Sequence, residues 1–136
     1  MGGGRILFLA TTLFLVQPLM ALGAEAGAES PAFQKCMDAV DLGALKITQW
    51  TACYENELKW QDRKLNAAYA KILRTASPKL KQAVLKGQRA WLAYRDAWCS
   101  YEEITPVAPG GRVNRVACLV EVTIKQIDRL ENSSVN

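Results

Sequence analysis

Residues 77–106, SPKLKQAVLKGQRAWLAYRDAWCSYEEITP, decide the fold because they mark both ends of one long helix. Ser77 can accept an N-cap hydrogen bond, and Pro78 suits the first helical position. Thr105 and Pro106 end the helix, since the residue before a proline disfavours helical conformation. Between these ends, apolar side chains recur at helical spacing, as Leu80, Val84, Trp91 and Trp98.

The flanking sequence predicts three more helices. One runs from Thr48, its cap, to about Thr75, and one follows the Pro- and Gly-rich loop 105–111 and extends over 113–130. A short one covers Pro31–Leu42 and ends near Gly43. We therefore predict an all-α fold, a small antiparallel helical bundle of three main helices plus a short N-terminal helix, held by disulfide bonds.

The N-terminus predicts export. Arg5 precedes an apolar run, 6–16, that is too short to span a bilayer, and Pro18 and a run of small residues, 21–26, follow it. This is typical of a signal peptide over residues 1–23, or 1–26 with the later cleavage, rather than of an uncleaved anchor. We expect a single domain over 27–136, periplasmic or secreted, soluble and without stable membrane insertion after cleavage.

Charge and length exclude several classes of protein. The chain has 17 Lys and Arg against 13 Asp and Glu among 136 residues. The excess is mild and favours weak attraction to anionic surfaces, but it is far from the clustered charge of a nucleic-acid-binding protein. The length that remains after the leader suits one ordinary domain.

Four cysteines, Cys36, Cys53, Cys99 and Cys118, predict two disulfides in an exported chain. A zinc site is disfavoured because there is no C-x-x-C pair and no histidine, so we predict neither a metal nor a cofactor. The pairing that needs the shortest chain reversals joins Cys36 to Cys53 and Cys99 to Cys118. The crossed pairing, Cys36 to Cys118 and Cys53 to Cys99, stays open as the alternative.

Polar residues interrupt the apolar faces of the two central helices at Asp62, Gln88 and Arg95. If these helices fold back about Ser77, Arg95 lies within about one turn of Asp62, and Asn66 lies opposite Gln88. We interpret these four residues as a buried polar network that fixes the register of the helices, in preference to a ligand site. The neighbouring Trp91, Tyr94 and Leu65 are then expected to fill the core.

Three motifs carry a resemblance to a known family: DRKLNAAY at 62–69, QRAWLAYRDAWC at 88–99 and CLVEVT at 118–123. Together with the cysteines, they resemble the LprI-type lysozyme inhibitor domain over nearly all of the chain after the leader, Cys36 included. The resemblance implies an exported bacterial helical domain, in a family with one member that inhibits lysozyme. This chain departs from the family's pattern at Arg112, where Ser is frequent, and at Gln126, where Arg is frequent.

No residues point to catalysis. The chain lacks histidine, the commonest general base. Glu102 and Glu103, like Glu55 and Glu57, lack the spacing that would place both carboxylates on one helical face, so we interpret them as solvated charges. We predict that the protein is not an enzyme.

Two functions remain open. The first is inhibition of a lysozyme, for which the loop Thr105, Pro106, Pro109, Gly110, Gly111 and Arg112, tipped by its arginine, is the candidate partner-binding element. Net charge opposes this function, because c-type lysozymes are basic and a basic partner loses electrostatic steering. The second is an envelope module that binds an anionic envelope polymer or another envelope protein. The sequence leaves the oligomeric state open.

Overall fold

The computed structural model describes residues 28–41 and 46–132, which form four α-helices and no strand. They are α1 (Pro31–Asp38), α2 (Lys46–Thr75), α3 (Pro78–Ile104) and α4 (Gly111–Glu131). The predicted all-α class is confirmed. The predicted leader lies outside the described residues. None of the helices within them combines the length and apolarity that crossing a membrane requires.

Serine caps begin two of the helices. Ser77 Oγ accepts a hydrogen bond from the backbone N–H of Leu80 at 3.3 Å, and Pro78 is the first residue of α3, as predicted. Ser30 and Pro31 repeat the arrangement at α1, where the backbone N–H of Phe33 donates to Ser30 Oγ at 3.1 Å. These side chains satisfy backbone donors that the first helical turn leaves unpaired.

Three predicted boundaries were wrong by a few residues. Helix α1 ends at Asp38, before the predicted Leu42, and α2 begins at Lys46, so Thr48 lies inside it rather than capping it. Helix α4 includes Gly111 and Arg112, which we had assigned to the loop. Gly111 has φ 59°, a left-handed conformation that glycine adopts without steric cost, and this lets the loop turn directly into the helix.

Helix α4 is the centre of the bundle, since it packs along both α2 and α3, while α2 and α3 have little backbone contact with each other. Two apolar clusters lie along it. The turn-end cluster is near the Ser77 turn and consists of Leu65, Tyr69, Ile127, Val84, Trp91 and Leu130. The disulfide-end cluster is at the opposite end and consists of Cys99, Cys118, Leu119, Leu58 and Val122.

Both disulfides follow the sequence-local pairing, which is confirmed over the crossed alternative. Cys36 is bonded to Cys53, and Cys99 is bonded to Cys118. The first bond attaches α1 to α2, and the second fixes the end of α3 against α4. They close loops of 17 and 19 residues, each worth about 3 kcal/mol in the chain-entropy description.

Candidate functional site

Three aromatic side chains lie exposed on α3 and form what we call the aromatic patch. Tyr94, Trp98 and Tyr101 are 55%, 50% and 57% exposed. Their spacing of four and three residues places them on one side of the helix, with ring centroids 6.3 and 6.1 Å apart. The rings border a shallow depression of about 460 Å³ over Ala97. The expectation that Tyr94 fills the core was therefore wrong.

A groove of about 1010 Å³ runs beside the aromatic patch, between α3 and α4. Trp98 and Glu102 line it from α3, and Glu121 and Lys125 line it from α4. Val107, which is 62% exposed in the loop after α3, lies at its margin. Exposed aromatic and aliphatic side chains beside charged ones are typical of protein-binding surfaces.

One side chain of α4, Asn114, hydrogen-bonds to two backbone groups of the predicted partner-binding loop. Asn114 Oδ1 accepts from the backbone N–H of Gly110 at 3.2 Å, and its Nδ2 donates to the carbonyl oxygen of Val107 at 2.8 Å. Arg112 is bound to α2, because its Nη2 lies 2.5 Å from Glu55 Oε1. The loop therefore presents Val107, and Arg112, which we expected at its tip, keeps a side chain that is 69% exposed while it pairs with Glu55.

Arg95 and Asp62 meet as the helix register predicts. Arg95 Nη1 donates to Asp62 Oδ1 at 2.9 Å and to Thr123 Oγ1 at 3.1 Å, so it links all three long helices. Its guanidinium lies 5.2 Å from the centre of the Trp91 ring. The Arg95 side chain is 12% exposed, but that of Asp62 is 42% exposed. The pair is therefore only partly buried.

Asn66 and Gln88 do not form the predicted amide pair. Asn66 is exposed and Gln88 is half-buried, and no hydrogen bond joins them in the part of the chain that the structure describes. The buried amide at this end is Gln126 instead, whose Nε2 donates to the Tyr69 hydroxyl at 3.0 Å. Gln126 thus places an uncharged amide against the Tyr69 hydroxyl.

One buried carboxylate, that of Glu57, was not predicted from the sequence. Glu57 is 2% exposed, so the interpretation of it as a solvated charge was wrong. Its two oxygens accept from the backbone N–H of Ser30 at 2.9 Å, from Ser30 Oγ at 2.5 Å and from Gln61 Nε2 at 2.7 Å. Gln61 also donates to the carbonyl oxygen of Ala28 at 3.0 Å. The network attaches the segment before α1 to α2.

Tyr54 lies in the same region, where its ring contacts that of Phe33 at 4.9 Å. Burial, and secondarily the negative charge of Glu29, raise the pKa of Tyr54 above its ordinary value. The hydroxyl is therefore neutral at physiological pH. No group of three or more His, Cys, Asp or Glu in the described residues is arranged to hold a metal ion.

Charge is segregated along the bundle, and this was visible in the sequence. We define the turn end as residues 63–95 and 123–132, and the disulfide end as the other described residues. The turn end carries eleven Lys and Arg against two Asp and Glu, and the disulfide end carries five against ten. The mild net charge of the chain thus conceals a basic end and an acidic end. The aromatic patch, apart from Tyr94 on the boundary, belongs to the acidic one.

Comparison with known proteins places most of the described chain in a family. A family model described as Lysozyme inhibitor LprI matches residues 43–130, more than half of the chain. The matched residues contain all three motifs, the aromatic patch and the loop, whereas Cys36 lies outside them. No curated protein and no solved structure matches the chain.

Proposed function

The chain belongs to the lysozyme inhibitor LprI family, and from that premise we propose that it is an exported, non-catalytic protein that inhibits a lysozyme. The observation that carries the proposal is the aromatic patch, which family membership alone does not explain. Tyr94, Trp98 and Tyr101 leave about half of their surface in water. Tryptophan and tyrosine dominate the binding energy of protein interfaces, which supports a protein as the partner.

Charge at the disulfide end also supports a basic partner. Glu102 lines the groove beside the aromatic patch together with Glu121, whose charge is paired with Lys125, and Asp96 lies on α3 between Tyr94 and Trp98 with its side chain 61% exposed. An acidic rim attracts a basic lysozyme and accelerates its association. The objection from net charge is removed, because the cations that outweigh these acids lie mostly at the other end of the molecule.

The loop after α3 adds the protruding element that an inhibitor of a cleft enzyme needs. Its apex, Val107, is apolar, and Asn114 fixes the backbone at Val107 and at Gly110. A preordered loop loses less conformational entropy on binding than a mobile one. We infer that Val107 and the aromatic patch form one continuous contact surface.

The test is a cell-wall lysis assay with a basic lysozyme and the protein purified after export. We expect inhibition by the wild type and at least about a 30-fold weaker inhibition constant for Trp98→Ala, the value for an interface hot spot. Leu85→Ala is the matched control, since Leu85 is an exposed apolar residue of α3 outside the aromatic patch. It should inhibit as the wild type does.

Two outcomes contradict the proposal. Failure of the wild type to inhibit any of a panel of lysozymes rejects inhibition and favours binding to another envelope protein. Equal inhibition by wild type and Trp98→Ala, with unchanged circular dichroism, retains the function but rejects the aromatic patch as its site.

A further inference from the structure

The turn end carries a basic surface on α3 that inhibition does not use. No Asp or Glu occurs between residues 63 and 95. On the first half of α3, Lys79, Lys81, Lys86 and Arg89 are all exposed. None of the four forms an ion pair in the part of the chain that the structure describes. Their charges are therefore available to an external anion.

An exposed apolar side chain lies among these cations. Leu85 is 39% exposed, and the spacing of Lys81, Leu85 and Arg89 by four residues places the three on one face of α3. A soluble polyanion offers nothing to a leucine, whereas the headgroup region of a bilayer accepts both the cations and the apolar side chain.

We propose that this face of α3 docks on a membrane surface of anionic phospholipid headgroups. Four to eight clustered Lys and Arg are typical of such surfaces, and each contributes about fivefold in affinity. Lys71 and Arg74 are also exposed, near the end of α2, but they line a depression with Glu131 of α4, so the docking face consists of the four residues of α3. Docking is peripheral, with no helix inserted.

Charge segregation also sets the orientation of the docked molecule. The disulfide end carries ten acidic against five basic residues, so an anionic surface repels it while attracting the turn end. Tyr101 and Val107, at the disulfide end, then point away from the membrane and stay accessible to a protein partner. The proposal does not depend on lysozyme inhibition, because its readout is lipid binding alone.

The experiment is sedimentation of the exported, disulfide-bonded protein with vesicles of phosphatidylcholine alone or mixed in equal parts with phosphatidylglycerol. We expect binding only to the mixed vesicles and its loss at high salt. The triple variant Lys81→Gln, Lys86→Gln, Arg89→Gln should bind about 100-fold more weakly. Leu85→Ser should weaken vesicle binding about fivefold without weakening any binding to soluble polyphosphate.

The matched control is the triple variant Lys35→Gln, Lys46→Gln, Lys59→Gln, which removes three exposed charges from the disulfide end. It should bind the mixed vesicles within about threefold of the wild type. Equal losses from both triple variants would mean that only net charge matters and would overturn the proposal. Polyphosphate binding as tight as vesicle binding, with no effect of Leu85→Ser, would also overturn it.

Discussion

Trp91 and Trp98 lie seven residues apart on α3, yet Trp91 packs against the turn-end cluster while Trp98 is 50% exposed at the disulfide end. Seven residues advance a straight helix by about 20° less than two full turns, so the second ring drifts away from the first. The bond from Cys99 to Cys118 also contributes to the exposure of Trp98. It turns Cys99, which is 0% exposed, toward α4, and Trp98 is about 100° around the helix from it.

The two ends also differ in how they are stabilised. The turn end relies on apolar packing of large side chains, whereas the disulfide end relies on two covalent bonds and the buried carboxylate Glu57. Because the disulfides supply part of the stability of this end, its core does not have to bury every aromatic side chain. This leaves Trp98 and Tyr101 free to form a binding surface.

Removal of a disulfide should be among the two largest effects. Cys36→Ala with Cys53→Ala, and Cys99→Ala with Cys118→Ala, should each lower the free energy of unfolding by about 3 kcal/mol. The second loss should be the larger, because Cys99 is also part of the disulfide-end cluster. Urea unfolding measures both. Losses well below this value for both variants would show that packing, not cross-linking, stabilises the disulfide end.

Glu57→Ala should cost about 3 kcal/mol, because it leaves buried donors of Ser30 and Gln61 without their acceptor. Glu55→Ala is the control two residues away. Glu55 is partly exposed and pairs with the exposed Arg112, so its loss should cost about 0.5 kcal/mol or less. Thermal unfolding distinguishes the two. Equal effects would contradict the assignment of Glu57 as the buried anchor.

At the boundary between the ends, Arg95→Ala should cost more than Asp62→Ala. A fully buried pair would make either loss cost about 3–5 kcal/mol. Asp62 is 42% exposed, and Arg95 keeps its bond to Thr123 without it, so we expect about 1 kcal/mol for Asp62→Ala. Arg95 also packs on Trp91, and we expect about 2 kcal/mol for its loss. Urea titrations of the two variants, run in parallel, measure the difference.

Two glycines should give the smallest effects, with opposite signs. Gly87→Ala at the turn end should stabilise by about 1 kcal/mol, because an added Cβ meets no atom within 4 Å and alanine favours helix. Gly111→Ala at the disulfide end should destabilise by about 1 kcal/mol, because its φ of 59° strains any residue with a Cβ. Shifts in melting temperature of the same sign would contradict this difference.

The sequence by itself determined the features that depend on neighbouring residues. Ser77 and Pro78 specify where α3 begins whatever packs against it, because a cap and a first-turn proline act within one turn. The short loops between neighbouring cysteines favoured the two local disulfides. Antiparallel folding about the Ser77 turn predicted that Arg95 and Asp62 lie at the same level along the bundle axis.

Only the tertiary structure decided which side of each helix is covered. The spacing of Trp91 and Trp98 is the same whether α2 or α4 covers α3, and it is α4 that does so. Glu57 has the sequence surroundings of a solvated glutamate, and it is buried because Ser30, 27 residues earlier, folds over it. One helix specifies its own faces, but the element that buries a face comes from elsewhere in the chain, so its position depends on packing of the whole bundle.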